Sequence, residues 1–240
     1  MWQGKKISVV FSTYREKGSI RKMIDDYFAT GFVDEVVVVN NNAEQGTDEE
    51  VKKTKARLVH ENKQGYGHGY QRGIKEAVGD YIFLSEPDGT YSASDLEKFL
   101  VYSKDFPVVM GTRTNQSAIL EGASMGLLRK LANVFEAKVI EVFFGTNSLT
   151  EIGCTCKLFE RKTLLSLSPY LHKANALFAT ELLLIVVSKR IKFIEIPISF
   201  SERVGKSQLT AKFHQQAKWG LKIFWFILSF WFKWIFKRSK

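Results

Sequence analysis

The chain has 240 residues, 45% of them hydrophobic, enough to bury one full core without disulfides or a structural metal. Its formal charge of +10 calls for an anionic partner: a nucleic acid, a membrane surface or a phosphorylated substrate. Cys154 and Cys156 are the only cysteines; with four histidines and no His-x-x-x-His pair, they exclude a disulfide framework and a transition-metal centre. Two residues apart on one expected strand, they should point to opposite faces, as in a reduced, cytosolic protein.

From the N-terminus, Met1–Lys6 passes directly into a strand without the order or length of a secretory signal. Ile7–Phe11 (ISVVF) and Val36–Val39 are apolar throughout, the pattern of parallel strands buried on both faces. An amphipathic helix over Ser19–Thr30 separates them. A helix over Thr47–Lys55, a strand at Arg57–His60, a helix over Tyr66–Val78 and a strand at Tyr81–Ser85 are expected next. A helix over Ser94–Ser103 and a strand at Val108–Gly111 follow. This alternation predicts an open, mostly parallel α/β sheet with ligands at the carboxyl ends of its strands, after Phe11, Val39, His60 and Ser85. The second half is less regular. A long helix over Gly122–Phe144, a strand at Lys157–Phe159, a helix over Thr180–Lys189 and a strand over Lys192–Phe200 broken by Pro197 are expected, and from Thr210 the chain is helical and aromatic.

Four groups of residues are suited to chemistry. In Ser85-Glu86-Pro87-Asp88-Gly89-Thr90, two carboxylates at a strand end can hold a divalent cation that bridges a diphosphate, although Pro-Asp-Gly is also an ordinary turn sequence. Gln64 to Tyr70 (QGYGHGY) carries glycines at alternate positions before a helix, where backbone can approach an anion; its spacing is not that of a dinucleotide fingerprint. Asn40-Asn41-Asn42 offers neutral donors and acceptors to a base or ribose, or simply a polar loop. Arg113, Arg129 and Arg203 are candidate phosphate clamps, each otherwise a solvated surface charge. Glu151 is a candidate base.

Taken in order, these segments resemble the family-two glycosyltransferases, and within them the dolichyl- and polyprenyl-phosphate hexosyltransferase branch. VVFSTYRE is similar to that family's V-x-I-P-A-Y-N-E, and VVVVNNNAEQGT to V-V-D-D/N-N-S-x-D-G-T. ENKQGYGHGYQRGIKEAVGDYIFLSEPDGTY, MGTRT, TEIGCTCKLFERKTL and IEIPISFSERVGKSQL resemble the glycine-helix-D-x-D, G-S-R, T-D-x-x-C/S-G and E-V-P-I-x-F-x-x-R segments. The likeness runs from Ile7 to Leu209. It implies a GT-A (Rossmann-like) fold, a UDP- or GDP-sugar donor, Mg²⁺ or Mn²⁺, and inversion at the sugar carbon. On this resemblance Asp88 is the principal metal ligand, assisted by Glu86. Ser12, Tyr14, Glu16, Asn40, Gly65, Gly67, Glu86 and Pro87 surround the donor, while Arg113, Arg129, Arg203 and Lys206 meet the acceptor. Departures from the family pattern are Asn at 40, Glu at 86 and at 151, and Gln208 in place of a lysine.

The expected product is a polyprenyl-phosphate sugar. Transfer to a saccharide hydroxyl, with Glu151 as base, and a non-catalytic nucleotide-sugar-binding relative are the alternatives. Between Lys206 and Lys240 every charged residue is basic, and Ile223–Phe232 (IFWFILSFWF) is ten apolar residues, short of the ~20 that span a bilayer. Trp219, Trp225, Trp231 and Trp234 suit an interface. The division expected is therefore a catalytic domain over 1–209 and a membrane-interface helix over 210–240, peripheral on the cytoplasmic face of an anionic membrane. A transmembrane segment is the alternative there, and packing on the domain or in an oligomer another. The basic residues lie beside aromatic runs and form no nucleic-acid module, so no nucleic-acid partner is expected.

Overall fold

Runs such as ISVVF and EVVVVN have no polar face to offer solvent, so their strands fold only if both faces are covered. In the computed structural model, which describes residues 1–115, 119, 126–204 and 213–238, that cover is present. The strands are β1 (Ile7–Thr13), β2 (Glu35–Asn40), β3 (Arg57–His60), β4 (Tyr81–Ser85), β5 (Val108–Thr112), β6 (Lys157–Glu160) and β7 (Phe193–Pro197). They form one sheet in the order β3-β2-β1-β4-β6-β5-β7. All neighbours are parallel except β6, which runs antiparallel to both β4 and β5.

The helices are α1 (Lys17–Ala29), α2 (Thr47–Lys52), α3 (Tyr66–Glu76), α4 (Leu96–Tyr102), α5 (Leu127–Phe144), α6 (Arg161–Leu167), α7 (Leu177–Ser188) and α8 (Phe213–Arg238). Successive strand residues divide between two cores. Val9, Phe11, Val36 and Val38 pack with Ile20, Ile24, Val51, Leu96 and Phe99 of α1, α2 and α4. On the other face Val10, Val37 and Val39 join Tyr70 and Ile74 of α3, Ile140 of α5, Leu164 of α6, Leu183 of α7 and Ile227 of α8. This is the mostly parallel GT-A arrangement expected.

Several details differ from the sequence reading. Cys154 and Cys156 precede β6 instead of lying on it, and both buried, free thiols pack in the same core. In the segment before β6 the buried Lys157 side chain donates to the Cys154 carbonyl, while the Cys156 carbonyl accepts from Gly111 N of β5 (2.8 Å). Helix α6, which follows β6 with no intervening residue, was not anticipated. The described part of the long helix begins at Leu127, and β7 ends at Pro197, which lacks the N–H to continue a ladder. In α8, the Trp231 and Trp234 indoles donate to the Phe143 and Ser188 carbonyls (2.8 and 3.2 Å), so one side of this helix is packed on the domain. Its other side exposes Leu221, Trp225, Phe232 and Phe236.

The close approach of α3 to the sheet generates a test. A methyl group at Gly73 would overlap Val10 and press on Val39, whereas one at exposed Gly18 of α1 meets nothing. Gly73→Ala should therefore lower unfolding free energy by about 1–2 kcal/mol despite alanine's better helix propensity, while Gly18→Ala should be neutral or stabilising. Urea denaturation of the two variants checks the opposite signs.

Candidate active site

Strand β4 delivers its carboxyl end to the centre of the sheet, and two tyrosines from opposite faces fix that end. Tyr27 of α1 donates to Ser85 Oγ (2.9 Å), and Tyr70 of α3 donates to the Ser85 carbonyl (2.7 Å). Burial pushes both phenols well above their ordinary pKa, so they remain neutral donors. The next residues turn sharply, with Gly89 at φ +81°, a conformation that L side chains rarely adopt. Glu86 and Asp88 thus come to the floor of a cavity of about 1080 Å³.

Each of the two carboxylates has one oxygen held by neighbouring hydroxyl or amide donors and the other turned toward Arg203. Asp88 is 1% exposed; its Oδ1 accepts from Thr90 N and Thr90 Oγ1 (2.9 and 2.5 Å). Glu86 Oε1 accepts from Tyr66 and Thr155 (2.9 and 2.7 Å). The buried Asp88 Oδ2 has no hydrogen-bond partner among the described residues. Burial, then the neighbouring Asp88 charge, raises the pKa of Glu86. Such a pair fits a hard divalent cation that completes its shell with phosphate and water, because among the described residues no third carboxylate, Cys or His joins the group. Mg²⁺ and Mn²⁺ both match this all-oxygen donor set.

The arginines converge from three segments. Residues after β7 run beside the turn, with Ser201 N on the Thr90 carbonyl and Val204 N on the Asp88 carbonyl (2.9 and 2.8 Å). This places Arg203 Nη2 at 3.1 Å from Glu86 Oε2 and 2.6 Å from Asp88 Oδ2. Arg113, after β5, lies over Tyr91 and Phe200 and is paired with Glu151. Arg129, on α5, has no ion-pair partner among the described residues. Burial, followed by the like charges of Arg113 and Arg203, lowers its pKa. All three line the cavity. Lys206 lies outside the described residues.

Glu151 occupies a different position from the one expected of a base. Its carboxylate is 0% exposed and accepts from Arg113 N and Nε (2.6 and 2.8 Å), a buried pair that orients the guanidinium. Glu195 of β7 braces the same loop by accepting from Thr150 N and Glu151 N, and burial lifts its carboxyl to about 7.

On the donor side, Ser12, Tyr14, Glu16, Gly65, Glu86 and Pro87 line the cavity, as does Asn41. Asn40 is turned away: its amide donates to Asp48 (2.5 Å) and its oxygen accepts from Ala43 N (2.7 Å). Asn41 instead ties the 61–65 loop, donating to the Glu61 and Lys63 carbonyls and accepting from Gly65 N. Gly67 serves the fold, since its amide donates to the Ala174 carbonyl and any side chain there would strike Lys173. Tyr66, Thr155 and Thr90, which orient the carboxylates, were missed in the sequence. The resemblance points to acidic residues but not to the hydroxyls that hold them.

The cavity continues between α5 and α8, along Ala132, Trp219, Leu221, Ile223 and Phe224. Asn133 and Glu136 follow Arg129 at helical spacing, a signal the sequence carried. Glu136 is 5% exposed without a hydrogen bond or ion pair among the described residues, and burial lifts its carboxyl to about 8. An unfolded glutamate ionises near 4.5. Between these values the unfolded chain has released a proton that the folded chain keeps, so this group costs stability increasingly from pH 4.5 to 8 and by a constant amount above. Glu136→Gln removes the loss. The variant should gain on wild type by on the order of a few kcal/mol between pH 4.5 and pH 8.5, read by denaturation at both pH values.

Residues 8–164 match the glycosyl transferase family 2 domain. The chain is 26% identical over 234 residues to the Saccharomyces cerevisiae dolichyl-phosphate beta-glucosyltransferase, covering 85% of this chain and 70% of that protein. It is 24% identical over 204 residues to a Haloferax volcanii dolichyl-phosphate hexose transferase, covering 85% and 86%. Among solved structures it resembles Mycobacterium tuberculosis glucosyl-3-phosphoglycerate synthase bound to Mn²⁺, UDP and glucosyl-3-phosphoglycerate. That match has a TM-score of 0.72 at 15% identity, covering 95% of this chain and 80% of that one. The same enzyme with Mg²⁺ and UDP gives a TM-score of 0.71 at 15% identity, with 95% and 79% covered. The chain belongs to glycosyl transferase family 2 and is a glycosyltransferase with a GT-A fold.

Proposed function

We propose that this enzyme transfers a hexose, with inversion, from a UDP- or GDP-sugar to a polyprenyl phosphate at a membrane, with Mg²⁺ or Mn²⁺ held by Asp88 and Glu86. The observation that carries the reading is the pair of carboxylates at the end of β4, each with one oxygen met only by Arg203, in a cavity that Arg113 and Arg129 also line. The named activities of the yeast and Haloferax relatives support a hexosyl donor and a lipid-phosphate acceptor. Breaking the sugar–diphosphate bond leaves negative charge on the diphosphate, and a cation held by Asp88 and Glu86 would supply Lewis-acid stabilisation of that charge. Arg129 and Arg113 are placed to hold the acceptor phosphate, whose oxygen is already ionised near neutral pH and needs no strong base. A hydroxyl acceptor needs one. Glu151, the residue proposed for that role, is enclosed by Arg113, which favours the phosphate reading.

Asp88→Ala should lower turnover by about two orders of magnitude or more in a protein that still unfolds cooperatively, read by rate measurement beside urea denaturation. Labelled UDP- or GDP-hexose with dolichyl or undecaprenyl phosphate should give a mild-acid-labile labelled lipid. Label appearing only on saccharide hydroxyls would support the other acceptor class.

We read residues 1–209 as the catalytic unit and 210–240 as its membrane-facing helix. Ala217–Phe236 is 20 residues with a mean hydropathy of 1.2, enough by length and composition to cross a bilayer. The indole hydrogen bonds from α8 to the domain favour a helix that lies along the surface, with exposed Trp225, Phe232 and Phe236 entering the interface beside Lys218, Lys222 and Lys233. Replacing Trp225, Phe232 and Phe236 together by serine should reduce sedimentation with anionic vesicles by about tenfold or more. Undiminished vesicle binding in this variant would count against the interfacial helix.

A further inference from the structure

We propose that Arg203 alternates between two anions, closing the cation site while it is empty and holding the acceptor phosphate once a cation has displaced it. The proposal rests on the reading of Asp88 and Glu86 as cation ligands. A single guanidinium nitrogen, Nη2, lies 2.6 Å from Asp88 Oδ2 and 3.1 Å from Glu86 Oε2. It bridges the two oxygens left open by Thr90, Tyr66 and Thr155, the place a divalent ion requires. Two positive groups cannot share that place, so cation and guanidinium compete.

The displaced side chain has somewhere to go. The backbone that carries it is fixed to the turn through Ser201, Val204 and the pairing of Phe200 with Tyr91, so a change of rotamer is enough. The Arg203 side chain is 36% exposed, which gives it a path through solvent. Arg113 and Arg129 are near enough to act on one another, and Arg129 feels both Arg113 and Arg203 as repelling charges. Without an anion among them, this cluster pushes Arg203 toward the carboxylates; a phosphate there reverses the balance. Each position satisfies the guanidinium, and the choice is set by which ligand is present. Cation and acceptor phosphate should therefore reinforce one another's binding.

Titration of the full chain with Mn²⁺, read by the electron paramagnetic resonance of the free ion, tests this without turnover. Asp88→Ala should lose the site. Arg203→Ala and Arg203→Gln should each bind Mn²⁺ about tenfold more tightly than wild type. Farnesyl monophosphate, corrected against a protein-free blank, should tighten Mn²⁺ binding severalfold in wild type and leave Arg203→Ala unchanged. Equal or weaker Mn²⁺ binding in both Arg203 variants, with the site still lost in Asp88→Ala, would overturn the alternation and leave the cation site standing. Undiminished binding in Asp88→Ala would remove the cation site and the proposal together.

Discussion

The constraint on which the site depends is the crowding of two like charges, half-buried Glu86 and buried Asp88, at the end of the central strand β4. Unpaired carboxylates taken out of water are costly, and two side by side are more so. The fold meets this cost with hydroxyls from four directions. Thr90 holds Asp88, Tyr66 and Thr155 hold Glu86, and Tyr27 and Tyr70 hold the strand end that carries them. The remaining need for positive charge falls to Arg203, or to a cation. A site that demands positive charge in this way is prepared for a ligand rather than for maximal stability.

The surrounding architecture follows from that demand. Parallel strands bring loops from β1, β2 and β4 to one edge, where Ser12, Tyr14, Asn41 and Gly65 line the cavity. The reversal at β6 brings Thr155 and the 150–153 loop to the same edge from the opposite direction. The second set of walls, α5 and α8, lines the cavity with Phe135, Trp219, Ile223 and Phe224 beside Arg129, Asn133 and Glu136, and exposes Leu131 and Trp225 outward. A polar part at the strand ends and a more apolar part between the two helices thus share one space.

Much of the scaffold was legible in the sequence because parallel strands covered on both faces are written as unbroken apolar runs. Helix α6 and the irregular segment before β6 were not, since short elements at a sheet reversal carry no period. Within the site, Glu86 and Asp88 stood out as acids at a strand end. Their hydroxyl partners did not, because Tyr66 and Thr155 lie 20 and 69 residues from Glu86 and meet it only after folding. Asn40 and Asn41 show how finely this divides: adjacent and chemically identical, one bonds to Asp48 and the other organises the cavity wall. Glu151 resembles a base in sequence, yet it is the buried counter-charge of Arg113. No sequence motif records that pairing.

The central claim is that the open oxygens of Asp88 and Glu86 form the donor's cation site. The most direct measurement is anomalous diffraction from crystals of the full chain soaked with Mn²⁺ and UDP. The account predicts one strong peak between Asp88 Oδ2 and Glu86 Oε2, with the diphosphate completing the shell and Arg203 moved aside. Bound UDP with no manganese at Asp88, or manganese held at a different group, would contradict it.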